Sequence, residues 1–188
     1  MARSAKQLSK EKKKFVYDLL QNGARAKDYV TSVFWLMDSG LAYKVNKIDT
    51  PERPLYAFED PKAFKLFPID VGLLGHMLGL QPHTLLDGND VFSVFNEALT
   101  QQFVLQEMIA NGGVKIYYYT NNRGASEIEF VVDDGVRIIP IEVSAELNLQ
   151  AKSLKVYCEK YNLEIAVRVN LGEYGMENCV INVPIYLL

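Results

Sequence analysis

Glu127, Glu129, Glu142 and Ser144 are the residues whose types and spacing could do chemistry. They lie in two runs, Ser126 to Val132 and Ile138 to Ser144, dominated by β-branched and aromatic residues. Asp133-Asp134-Gly135 between the runs predicts a tight hairpin. Side chains alternate along a strand, so Glu127 and Glu129 share one face of the first strand, and Glu142 and Ser144 share one face of the second. Carboxylates on neighbouring strands beside apolar runs are a layout that can hold Mg²⁺ and assist phosphodiester hydrolysis. The residues alone allow a plainer reading too, with Glu127 facing solvent at the hairpin's start and Glu142 held by a hydrogen bond at a strand end.

The elements that must position these side chains can be read along the chain. Residues from Glu11 to Leu20 predict a helix with Phe15, Val16, Leu19 and Leu20 on its buried stripe, ended by Asn22-Gly23. A second helix is predicted from Ala26 to Asp38. Short strands follow at Leu41 to Val45 and Leu55 to Phe58, joined by a loop holding Pro51 and Pro54. Two helices and a two-stranded wing outline a winged helix, whose usual task is to lay its second helix in a DNA major groove. Here that helix carries Lys27 as its only basic residue, and Asp28 and Asp38 face phosphates unfavourably. Trp35 reads as a core or interdomain anchor, and packing or a protein partner suits such a module as well as DNA does.

Further on, a short strand at Phe64 to Phe67 and a helix from Ile69 to Leu80 precede the loop signals Gln81-Pro82 and Asp87-Gly88. A long amphipathic helix is predicted from Val91 to Ala110. Strands follow at Val114 to Tyr119, Glu127 to Val132 and Val136 to Val143, then a helix from about Leu149 to Tyr161 and a strand from Glu164 to Val169. Late strands are predicted at Val180 to Asn182 and Ile185 to Leu187. Alternating strand burial accounts for Tyr117-Tyr118-Tyr119. The reading is an α/β chain, α+β overall, with a module over residues 1–80 and an αβββαβ domain with a mixed central sheet over residues 81–188.

Bulk properties narrow the function classes. Apolar residues make up 49% of the 188, enough for a core without disulfides or metal. Cys158 and Cys179 form no C-x-x-C pair and read as reduced thiols in a cytoplasmic protein. No run of eighteen apolar residues predicts a membrane span. His76 and His83, without a cysteine or third histidine, read as structural or surface residues rather than metal ligands. Charge is uneven: residues 1–48 hold ten Lys/Arg against four Asp/Glu, and residues 49–188 hold ten against nineteen. A basic start on an acidic body allows a nucleic-acid contact through Lys12, Lys13, Lys14, Arg25, Lys27 and Arg123, or simply a solvated helix start.

The spacing of Glu129 and Glu142-Val143-Ser144 resembles the PD-(D/E)xK nuclease-like fold, in which an acidic residue on one strand is followed by Glu-x-Lys on the next. From about residue 12 to 188 the chain also resembles the C-terminal portion of a family of prokaryotic AAA-type ATP-binding proteins. The resemblance rests on Gly23-Ala24-Arg25-Ala26-Lys27-Asp28-Tyr29, Trp35-Leu36, Gly40-Leu41, the run Phe64 to Leu74, Ile116 to Tyr119, Glu127 to Phe130, Pro140 to Val143, and Lys152 to Tyr157. It implies a winged helix followed by a domain of unknown function with a restriction-endonuclease-like fold, the two lying after a P-loop ATPase. No Gly-Lys dipeptide occurs here, so the ATPase's own phosphate loop is missing from this chain.

Three departures from the family pattern fall at the site that the resemblance implies. Gln101-Gln102 stands for Glu-Asn, Glu129 for Asp, and Ser144 for Lys. A neutral amide adds no charge at the site. The extra methylene of Glu129 moves its oxygens by about an ångström, which Mg²⁺ with its strict octahedron feels. Ser144 supplies no cation beside a scissile phosphate, a loss of about 10²–10³ in rate. The sequence therefore predicts a degenerate site at Gln101, Glu129, Glu142 and Ser144 in a non-catalytic module that needs no cofactor. Such a module would bind nucleic acid, a protein partner or an ATPase domain. The alternative is a Mg²⁺- or Mn²⁺-dependent nuclease with Glu127, Glu129 and Glu142 as ligands and a lysine recruited from elsewhere, Lys152 first. A tail that only mediates oligomer contacts is a third reading. A basic groove would favour nucleic acid, whereas an apolar patch would favour protein.

Overall fold

The computed structural model describes residues 15–16, 20, 25–80, 90–121, 126–145 and 152–188. Among them the chain forms four α-helices and eight strands. The elements are α1 (Ala26–Asp38), β1 (Ala42–Ile48), a 3₁₀ turn (Leu55–Phe58), β2 (Glu59–Pro68), α2 (Val71–Leu78), α3 (Asp90–Asn111), β3 (Ile116–Thr120), β4 (Glu127–Asp133), β5 (Ile138–Val143), α4 (Lys152–Tyr161), β6 (Ala166–Asn170), β7 (Gly175–Glu177), β8 (Val180–Pro184) and a closing 3₁₀ turn (Ile185–Leu187). The strands form one mixed sheet in the order β2-β1-β3-β4-β5-β6-β8-β7, so the α+β class read from the sequence holds. No helix among the described residues is long and apolar enough to cross a membrane.

The chain divides into two compact units, Met1–Val45 with Ala63–Gln106, and Asn46–Lys62 with Glu107–Leu188. In the first, Phe15, Val33, Ala42, Phe64 and Leu66 form one apolar cluster, with the rings of Phe15 and Phe64 stacked at 5.3 Å. Leu74 and Leu99 form a second. Local chemistry sets the helix ends. Asp28 accepts the Arg25 backbone N–H at 3.0 Å at the start of α1, satisfying a donor that the helix leaves open. Asp70 accepts from the Leu73 N–H at 2.8 Å before α2, and Gly79 closes that helix at φ +79°, a left-handed conformation that glycine adopts without steric cost.

The second unit carries the acidic strands. Leu154, Tyr157 and Cys158 recur at helical spacing on α4 and pack with Tyr117, Tyr119, Ile128, Val131, Ala166 and Val180 of the sheet. β3 and β4, and β4 and β5, pair antiparallel, whereas β5, β6 and β8 run parallel to one another. The β4–β5 turn is the predicted hairpin. Asp134 accepts the backbone N–H groups of Val136 and Arg137 at 2.8 and 2.5 Å, and Gly135 takes φ +89°.

Several local expectations are corrected. Leu55–Phe58 and Ile185–Leu187 are 3₁₀ turns rather than strands; each directly follows a proline, which cannot donate to a ladder. Phe15 and Val16 are not helical, and the Phe15 N–H bonds the Phe64 carbonyl at 2.6 Å instead. The rest of that predicted helix lies outside the described residues, apart from Leu20 at a turn. Tyr117, Tyr118 and Tyr119 are all buried, with no alternation, because β3 lies inside the sheet with both faces covered. Trp35 is 66% exposed, so it anchors no core. β7 was not anticipated; three residues rich in glycine and methionine carry no strand signal.

Candidate functional site

The hairpin and its next neighbour carry three ionisable side chains on adjacent strands. Glu129 sits on β4, Glu142 on β5 and Arg168 on β6. Glu142 and Arg168 are direct partners across the parallel β5–β6 pair, and Arg168 in turn faces Asn182 across β6–β8. Directly paired residues point to one face of a sheet, so Glu142, Arg168 and Asn182 form a row. The Arg168 Nε lies 3.4 Å from the Glu142 Oε2, with the two side chains 5% and 21% exposed. Burial pushes the Glu142 carboxyl above its ordinary pKa, and the Arg168 guanidinium only partly offsets this.

Glu129 is buried at 8% exposure, and its Oε2 accepts the Val143 backbone N–H at 3.1 Å. A side chain of β4 thus bonds the backbone of β5 one residue beyond Glu142. Glu127 is half-buried at the first position of β4. Ser144 follows β5 directly, half-buried, and its N–H donates to the Val169 carbonyl at 2.9 Å. It extends the ladder to β6 but brings no cation.

The remaining predicted residues fall on other elements or outside the described residues. Gln101 lies on α3 in the other compact unit, half-buried, and its amide donates to Glu97 at 3.3 Å. Its neighbour Gln102 is fully buried and donates to the Pro68 carbonyl at 2.9 Å, a packing role. Arg25 and Lys27 are exposed on and before α1. Lys12, Lys13, Lys14 and Arg123 lie outside the described residues. So does the Lys152 side chain, although its backbone opens α4.

Sequence reasoning missed Arg168. The signal was present: β6 reads Ala166-Val167-Arg168-Val169-Asn170, an arginine at the centre of an apolar strand. A buried arginine needs a counter-charge, because it keeps its proton. Only strand register, however, identifies that counter-charge as Glu142.

Does this set suit the divalent metal that the acidic strands suggested? One Glu129 oxygen is bonded by a backbone N–H, and Glu142 lies beside a guanidinium. Among the described residues no three His, Cys, Asp or Glu side chains converge as a metal site. Among the described residues these carboxylates form no divalent-metal site as they stand, and no hydrolytic step is derived from them.

Beside this row, β7 and the loop before it wall a cleft of about 570 Å³ whose lining includes Arg168, Met176, Glu177, Val180 and Asn182. Lys155 on α4 pairs with Glu177 on β7 at 2.8 Å.

Fold and site together define a mixed α+β chain in which an arginine of β6 stands beside a half-buried glutamate of β5. Residues 96–188 match the family model described as Domain of unknown function (DUF4143), and residues 2–84 match the one described as Domain of unknown function (DUF8612). No curated protein and no solved structure matches the chain.

Proposed function

We propose that this chain is a non-catalytic, protein-binding module of an AAA-type ATP-binding system, built on a nuclease-like domain whose site has lost its chemistry. The observation that carries the reading is the Glu142–Arg168 pair. A hydrolytic carboxylate must leave its oxygens to a metal or a water, and here Glu142 is engaged by an arginine within the fold. Ser144 adds to this, since no lysine stands beside Glu142 in the strand. The order α3-β3-β4-β5-α4-β6 supports the nuclease-like frame, and a domain of the DUF4143 description is typically found alongside AAA-type ATPases. Protein is preferred over nucleic acid as the partner because α1 exposes Val30, Phe34, Trp35 and Met37. Basic residues are few there, and a groove reader needs them.

The test is cleavage of supercoiled plasmid and of single-stranded DNA in Mg²⁺ or Mn²⁺, comparing wild type with Glu142→Ala. Neither protein should cut, and labelled duplex should show no anisotropy change at physiological salt. Cleavage that disappears in Glu142→Ala overturns the proposal and establishes a metal nuclease.

A further inference from the structure

The two cysteines lie far apart in element order but meet in the fold. Cys158 is on the buried face of α4, and Cys179 is in the turn between β7 and β8. Cys179 packs against the apolar cluster that contains Cys158, and its thiol is one of the neighbours that raise the Cys158 pKa. Both are free, but their accessibility differs. Cys158 is 2% exposed, whereas Cys179 is only partly buried. One thiol can be reached from solvent and the other waits behind it.

We propose that Cys158 and Cys179 form an intramolecular disulfide in response to hydrogen peroxide, with Cys179 as the entry thiol and Cys158 as the resolving one. Peroxide oxidises the Cys179 thiol to a sulfenic acid and is itself reduced to water. The Cys158 sulfur then attacks the Cys179 sulfur and displaces hydroxide, which leaves as a second water with the Cys158 proton. Two thiols and one peroxide thus give one disulfide and two waters. Burial holds the Cys158 thiol up at about 12, which makes it the poorer first target for peroxide and means that it gives up its proton as it attacks.

The bond would tie the β7–β8 turn to α4, two elements that Lys155 and Glu177 already join. Because β7 walls the cleft beside Arg168, oxidation would fix that wall in place. Disulfide chemistry of this kind requires no catalytic activity in the chain, so it stands or falls independently of the nuclease question.

The experiment treats the folded full chain with hydrogen peroxide, quenches with N-ethylmaleimide, digests without reductant and analyses the peptides by mass spectrometry. Trypsin separates the cysteines into Val156–Lys160 and Val169–Leu188. The expected product is these two peptides linked and lighter by two hydrogens, restored to separate peptides by dithiothreitol. Cys158→Ser should leave a sulfenic acid on Cys179 that dimedone captures. Cys179→Ser should slow oxidation of Cys158 by about tenfold or more, because a buried protonated thiol is a poor target. Two free thiols in wild type under conditions where dimedone labels Cys158→Ser would overturn the proposal. So would linkage found only between chains, or Cys158 oxidising as fast without Cys179. The wild-type peptide map decides even if a variant fails to fold.

Discussion

Replacing Arg168 by methionine removes the only cation that the row places beside Glu142, and the consequences can be worked from the pair's geometry. Breaking a buried ion pair by deleting one partner costs about 3–5 kcal/mol, because the other charge is left uncompensated. The two partners should not behave alike. Glu142 is 21% exposed and already holds its proton more tightly than a free carboxyl. In Arg168→Met it can take up a proton or a water, so the cost should fall near the lower end of that range. Arg168 is 5% exposed and cannot shed its charge, so Glu142→Met should cost more than Arg168→Met even though Arg168 also acts on Glu177. The double variant, with two apolar side chains of similar volume, should return to within about 1 kcal/mol of wild type. Urea unfolding of the four proteins at neutral pH measures all three differences.

The pH dependence gives a second readout on the same variants. Because the folded pKa of Glu142 is raised, the folded chain binds this proton more tightly than the unfolded chain does. That contribution to stability is complete below the ordinary carboxylate range, is lost as pH rises through the raised value, and is flat above it. Removing Arg168 raises the pKa further, so Arg168→Met should lose stability over a wider and higher pH window than wild type. Single variants that each cost under about 1 kcal/mol, or a double variant costing their sum, would refute the idea that the two charges hold one another in the fold.

Three further outcomes are expected. Glu129→Gln should keep an acceptor for the Val143 N–H and fold nearly as well as wild type, whereas Glu129→Leu should lose about 1–3 kcal/mol by unfolding titration for the unpaired donor. Trp35, the single tryptophan, should emit as a solvent-exposed indole and be quenched fully by acrylamide. A blue-shifted, protected spectrum would mean that the α1 face is covered and would remove the argument for a protein partner there. Closure of the Cys158–Cys179 bond, followed by mass spectrometry after a peroxide pulse, should quicken about tenfold per pH unit between neutral and mildly alkaline pH, since the Cys158 thiol at about 12 must ionise beside Cys179, Glu159 and Tyr157. A flat rate would place the slow step elsewhere.

Patterns with short-range causes were legible in the sequence. Asp133-Asp134-Gly135 predicted its turn because an aspartate that bonds the backbone and a glycine free to take positive φ act within a few residues. The α3-β3-β4-β5-α4-β6 order followed from hydrophobic period alone. The α+β class followed from these, and so did the placing of Glu129 and Glu142 on paired strands, since a tight hairpin pairs its two strands directly. Where local propensity met proline, at Leu55 and Ile185, the reading failed within a residue or two. Trp35 failed for the opposite reason: hydrophobicity says what a side chain prefers, not whether another surface arrives to cover it.

Only the tertiary structure decided what the acidic strands do. Arg168 lies 26 positions after Glu142 with a helix between them, and no local rule links the two. The parallel register of β5 and β6 sets them side by side, and shared burial makes Glu142 a counter-charge of Arg168. The same holds for Cys158 and Cys179, joined by the packing of α4 on the sheet. The sequence alone determined that carboxylates would stand on adjacent strands without a lysine. Strand register and burial determined that an arginine stands beside one of them and a backbone N–H bonds the other, because electrostatic pairing depends on distance through space and on the dielectric around it, not on separation along the chain.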